Sequence, residues 1–129
     1  EYKTLLVNRS KDWKAWRVTG FFYLRHQRTD DALASFTKYT EMRPDTADSF
    51  ARLAQAYIQK KDADRAIALL QKSLTMESDY WPAVSILASA YELKGQKKEA
   101  RETYQRLLAA NLSDDQRKNV EKKIKELSN

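Results

Sequence analysis

The sequence predicts an all-α fold, a solenoid of stacked antiparallel helix pairs finished by a C-terminal capping helix. Three observations carry this. Strong helix formers (Ala, Leu, Lys, Glu, Gln, Arg) dominate the 129 residues, whereas Gly and Pro occur twice each, too few for the frequent turns of a β chain. Apolar residues recur at i, i+3, i+4 and i+7, as in Phe50, Leu53, Ala54 and Tyr57, the spacing of one helical face. Several residue columns also repeat at a fixed interval of 34, as in Tyr23, Tyr57 and Tyr91. A period of that length marks supersecondary units stacked one on the next.

Each element follows from those columns. Residues 1–10 read as the second helix of a truncated preceding unit, because Tyr2 and Leu5 fall in its register and Ser10 takes the closing position. Residues 13–46 form the first complete unit. Its first helix carries Trp16, Gly20 and Tyr23, its second Ala32 and Phe36, and Pro44 closes it. Residues 47–80 form the second unit, with the stripe from Phe50 to Tyr57, the polar turn "KKDAD", and then Ala66, Leu70, Ser73 and Leu74. Residues 81–114 form the third, through Val84, Leu87, Ala88, Tyr91, Ala100 and Tyr104. Gly20, Ala54 and Ala88 on the first helices face Ala32, Ala66 and Ala100 on the second. Residues this small let two backbones approach closely while the aromatics fill the space around the contact. Ser113 and Gln116 have capping-box spacing, and Val120, Ile124 and Leu127 make a thin apolar stripe over residues 113–128. The core columns lapse there, with Lys118, Glu121, Lys122 and Lys125 in the places of Trp, Leu, Gly and Tyr. A solvated helix of this kind caps a stacked array.

Trp16, Thr19, Gly20 and Tyr23, then Ala32, Phe36 and Pro44, resemble the tetratricopeptide repeat pattern W-x2-L-G-x2-Y, A-x3-F, P; only Thr19 departs, where Leu is usual. The resemblance covers residues 13–114 and implies a single domain over 1–129, a right-handed superhelix of the TPR kind. It also implies a non-catalytic interaction scaffold whose first helices line a concave groove. The candidate groove residues are then Lys14, Arg17, Val18, Phe21, Leu24 and Arg25 in the first unit, Arg52, Gln55 and Gln59 in the second, and Ser89 in the third. The first set is both basic and apolar, which suits a protein or peptide partner offering acidic and apolar side chains. One subfamily of these repeats grips the C-terminal carboxylate of heat-shock chaperones through a Lys/Asn/Asn/Lys/Arg clamp. Here Phe21 and Ile86 stand where that clamp has Asn and Arg, and Arg52 replaces its second Asn.

Composition narrows the remaining classes. With no Cys, disulfide, thiolate and Cys-ligated zinc chemistry are excluded. The single His26 has no neighbouring ligand pair, and no phosphate-binding glycine loop or H-E-x-x-H occurs, so no catalytic residue, metal or cofactor is expected. No run of about 18 apolar residues exists, so no membrane span is expected, and a soluble compartment, cytoplasm or periplasm, is. The net charge is +6, but residues 1–46, 47–80, 81–112 and 113–129 carry excesses of +3, 0, +2 and +1, a mixed surface rather than a stripe. Two alternatives stay open. Trp13, Trp16, Phe21 and Phe22 lie among Arg9, Lys11, Lys14, Arg17, Arg25 and Arg28, as in proteins that stack and neutralise single-stranded RNA, although the even charge of the second unit makes nucleic acid a poor fit. The other is homo-oligomerisation. Phe22 stands where the later units have Ala56 and Ala90, so weak self-association is expected through an incompletely covered N-terminal end, unless the native chain continues upstream.

Overall fold

The computed structural model describes residues 12–128. Seven α-helices and no strand run through them: α1 (Trp13–Arg25), α2 (Thr29–Met42), α3 (Ala47–Gln59), α4 (Ala63–Met76), α5 (Trp81–Lys94), α6 (Lys97–Leu107) and α7 (Asp114–Leu127). Helices α1/α2, α3/α4 and α5/α6 pack as pairs, neighbouring pairs stack, and α7 lies against α6. The result is an all-α helical repeat solenoid. The half-unit expected over residues 1–10 lies outside the described residues.

Local chemistry sets the helix ends. Asp12, Thr46 and Asp62 cap α1, α3 and α4 through their side-chain oxygens. The expected capping box opens α7: the Gln116 amide donates to Ser113 Oγ at 3.2 Å, and the Ser113 amide donates to Gln116 Oε1 at 2.9 Å. The turns inside the three pairs repeat one geometry. Gln27, Lys61 and Gly95, each 34 residues apart, are left-handed, with φ of 60°, 69° and 83°. After each, an amide reaches back five residues to a tyrosine carbonyl: Arg28 to Tyr23, Asp62 to Tyr57 and Gln96 to Tyr91, all at 2.9 Å. This long-range bond ends a helix by satisfying a carbonyl that would otherwise lack a donor.

The small-residue columns sit where the helices meet. Ala32, Ala54, Ala66, Ala88 and Ala100 are inaccessible to solvent, and Gly20 is buried. A Cβ on Gly20 would stand 2.4 Å from Phe36 Cε1, so any larger residue would displace the Phe36 ring where α1 crosses it. The core is continuous through three clusters centred on Phe36, on Leu70 with Leu87, and on Val84 with Tyr104. Tyr57 bridges the first two and stays half-buried, with Arg65 over its ring. Phe22 is half-buried as well, its ring against Tyr23 and His26.

Candidate functional site

Two open cavities lie on the sides of α1, α3, α5 and α7. The first, about 560 Å³, has Trp13, Lys14, Arg17 and Val18 of α1 on one wall. Asp48 of α3 and Thr46 face them, and Tyr39 and Arg43 complete the lining. Trp13 stacks on Tyr39, with centroids 5.6 Å apart and planes at 12°, and the Arg43 guanidinium covers the indole at 4.9 Å. Val18 is 49% exposed, the most open large apolar side chain among the described residues. The second cavity, about 650 Å³, has Trp81, Pro82 and Ser85 of α5 on one wall and Gln116, Asn119, Val120 and Lys123 of α7 on the other, with Tyr104 and Leu107 of α6 between them. The two openings obey the repeat period. Lys14, Asp48, Pro82 and Gln116 are successive members of one 34-residue column, and Arg17, Ser85 and Asn119 belong to another.

The expected groove residues divide into groups. Lys14, Arg17 and Val18 line the first cavity. Lys14 stays exposed, with its ammonium 5.8 Å from the Trp13 ring. Phe21 meets Phe36 edge-on at 5.4 Å, and the guanidiniums of Arg17 and Arg52 cover its ring at 5.0 and 5.1 Å. Both guanidiniums are held by Asp48: Arg17 Nε donates to Oδ2 at 2.7 Å and Arg52 Nε to Oδ1 at 3.0 Å. The hydroxyls of Tyr39 and Tyr80 donate to the same carboxylate. Gln55 accepts from Arg52 at 3.4 Å. Gln59 ties the first two pairs together, donating to the Leu24 carbonyl at 2.8 Å and accepting from the Thr29 hydroxyl. Arg25 is exposed at the end of α1, and the exposed Ser89 donates to the Ser85 carbonyl at 3.4 Å.

A sequence model of the tetratricopeptide repeat matches residues 58–124, more than half of the chain, and a second model of the same repeat matches residues 23–80. The chain belongs to the tetratricopeptide repeat family. No curated protein sequence matches it significantly. Solved structures of the same fold match this TPR chain closely in shape and distantly in sequence. The first TPR domain of Spaghetti (RPAP3), bound to the HSP90 peptide SRMEEVD, is 20% identical, with a TM-score of 0.80 over 93% of this chain and 98% of that one. The Arabidopsis OM64 TPR domain is 16% identical, with a TM-score of 0.80 over 91% and 94%. The TPR2B domain of yeast Sti1 in complex with pHsp70 is 18% identical, with a TM-score of 0.81 over 90% and 95%.

Electrostatics in this TPR chain centre on Asp48. Burial alone would raise its carboxyl pKa, but the hydrogen bonds from Arg17, Tyr39 and Tyr80 and the charge of Arg52 outweigh it and hold the group well below the usual carboxylate range. Burial, and then the bond to Asp48, push the Tyr80 phenol up to about 12 and raise Tyr39 as well. A second such cluster anchors the cap. Tyr104 donates to Glu92, and Lys123 of α7 reaches the other oxygen of Glu92 at 3.4 Å. Burial and the bond to Glu92 likewise raise Tyr104. These phenols have folded-state pKa values above the unfolded one. Their contribution is therefore complete below about pH 10 and is lost as the pH climbs through the folded values. In an alkaline absorbance titration, the tyrosinate signal of Tyr39, Tyr80 and Tyr104 should appear only together with loss of helical circular dichroism. Their ionisation in the intact fold would contradict the bonding described.

The pairing of Arg17 with Asp48 spans 31 residues, and no sequence pattern announces it; the Asp48–Arg52 spacing of four was the only available cue. The polar, cavity-lining side of α7 carries no hydrophobic signal either. Its core columns lapse, yet Gln116, Asn119 and Lys123 continue the columns that line the cavities.

Proposed function

We propose that this tetratricopeptide repeat chain is a non-catalytic interaction module that holds a segment of a partner protein along the groove of α1, α3, α5 and α7. The observation that carries the reading is the periodicity of the openings. Homologous columns of successive units line both cavities, and Trp13 and Trp81, 68 residues apart, stand in the two of them. Apolar surface next to dispersed polar groups suits an extended segment, whose side chains fill pockets while its backbone bonds to the walls. The solved first and second TPR domains of RPAP3, bound to an HSP90 and an HSP70 peptide, support a peptide as the ligand type. Trp13, Val18 and Trp81 offer apolar seats, and Lys14 gives the first rim a preference for an acidic neighbour in the segment. With Arg17 and Arg52 already paired to Asp48, neither guanidinium is free for a nucleic-acid backbone.

Selection of peptides from a random display library tests this. Val18→Asp places a charge in the first cavity at an exposed position, where the fold tolerates it. It should weaken the selected peptides by about tenfold or more, equivalent to roughly 1.4 kcal/mol of binding free energy. Lys98→Glu, on the exposed side of α6, should leave affinity unchanged. Equal affinity for the wild type and Val18→Asp, or failure to select any peptide, would overturn the reading.

A further inference from the structure

The two arginines that sequence reading assigns to an acidic partner are engaged within the chain. Arg17 comes from α1 and Arg52 from α3, and Asp48 bridges them: Arg17 donates to Oδ2 at 2.7 Å and to Oδ1 at 3.4 Å, and Arg52 to Oδ1 at 3.0 Å. Oδ2 also accepts from Tyr39 and Oδ1 from Tyr80, so each oxygen has at least two donors. The guanidiniums are fixed from below as well, since both lie over the Phe21 ring. The side chains of Asp48 and Arg52 are 18% and 17% exposed. A carboxylate arriving from solvent would have to break this network before it could form its own ion pair. Lys14, at the rim of the same cavity, makes no ion pair among the described residues and remains open to solvent.

We infer that Asp48 sets the specificity of this groove: it is a built-in carboxylate occupying the seat formed by Arg17 and Arg52. The partner segment therefore enters with an apolar, uncharged group at that place and leaves any acidic side chain to Lys14. This rests on the peptide-binding reading above and deepens it. Like-charge repulsion from Asp48 is the discriminating element, because selectivity comes as much from what a site repels as from what it attracts. A peptide chain end, with its free carboxylate, is excluded from the seat for the same reason.

Acetate is the probe, since it reports on the seat without needing a partner. The Nε–H resonances of Arg17 and Arg52 are followed while sodium acetate is titrated against matched sodium chloride. In the wild type they should move no further than in the chloride control. In Asp48→Asn, which keeps the side-chain shape and an acceptor oxygen, both should shift saturably, with an acetate affinity at least about tenfold tighter. Should Asp48→Asn fail to fold, Asp48→Ser, which also removes the charge and keeps a hydroxyl acceptor, should give the same saturable shift. Saturable acetate binding by the wild type, or no gain in a folded variant, overturns the role of Asp48. Failure to select any peptide overturns the binding function instead, and the acetate result stands apart from it.

Discussion

Phe36→Ala is expected to lower the free energy of unfolding by about 3–5 kcal/mol, the usual cost of truncating a fully buried aromatic. Phe36 is the largest side chain among those fully removed from solvent, and its ring fills the crossing of α1 and α2. The space cannot be refilled cheaply. Gly20 lies against the ring and Phe21 meets its edge, so a cavity persists when the ring is removed. The reverse change tests the same contact. Gly20→Ala drives a methyl into Phe36 and should cost about 1–3 kcal/mol through overpacking. With Phe36 truncated, that methyl has room, so the double variant should be more stable than the sum of the single costs predicts. Denaturant melts of the four proteins measure this coupling. Strict additivity would mean that Gly20 and Phe36 do not share a contact.

The second large effect belongs to Asp48. Removing its charge as Asp48→Ala leaves two guanidiniums and two phenols without their acceptor. Breaking a buried pair costs about 3–5 kcal/mol, and because the Arg17 side chain is 35% exposed and partly rehydrates, about 2–3 kcal/mol is expected here. The pH dependence has a definite sign. The folded-state pKa of Asp48 lies below the unfolded one, so its contribution is complete above about pH 4 and fades as the pH falls through the folded value. Wild-type stability should therefore drop more steeply below about pH 4 than that of Asp48→Ala, and the two curves should converge in acid. Parallel acid curves would show that Asp48 is not held as an ion in the fold.

These two sites differ in how far the sequence announced them. The Gly20–Phe36 crossing was legible because close helix packing needs small residues at fixed positions, and three units repeat the requirement. The Asp48 cluster was not, since an ion pair between stacked units leaves no local period. Turn geometry falls between the two. Gly95 marks a left-handed residue, but the equivalent places in the other units hold Gln27 and Lys61, where strain is accepted and nothing in the residue type shows it. Tyr57 belongs to a core column yet remains half-buried, because it spans the junction of two clusters rather than the centre of one. In α7 the core columns end while the columns that line the cavity continue. A reading keyed to hydrophobic periodicity therefore sees a solvated cap and misses a cavity wall.

The proposed mode of binding runs along the groove of α1, α3, α5 and α7 and not on the outer helices. Chemical-shift mapping with a display-selected peptide tests it most directly. The largest perturbations should fall on the Trp13 and Trp81 indoles, Val18, Ser85 and Asn119, with Lys38 of α2 and Lys98 of α6 unmoved. Shifts concentrated on the exposed faces of α2, α4 and α6, with the two indoles silent, would contradict it.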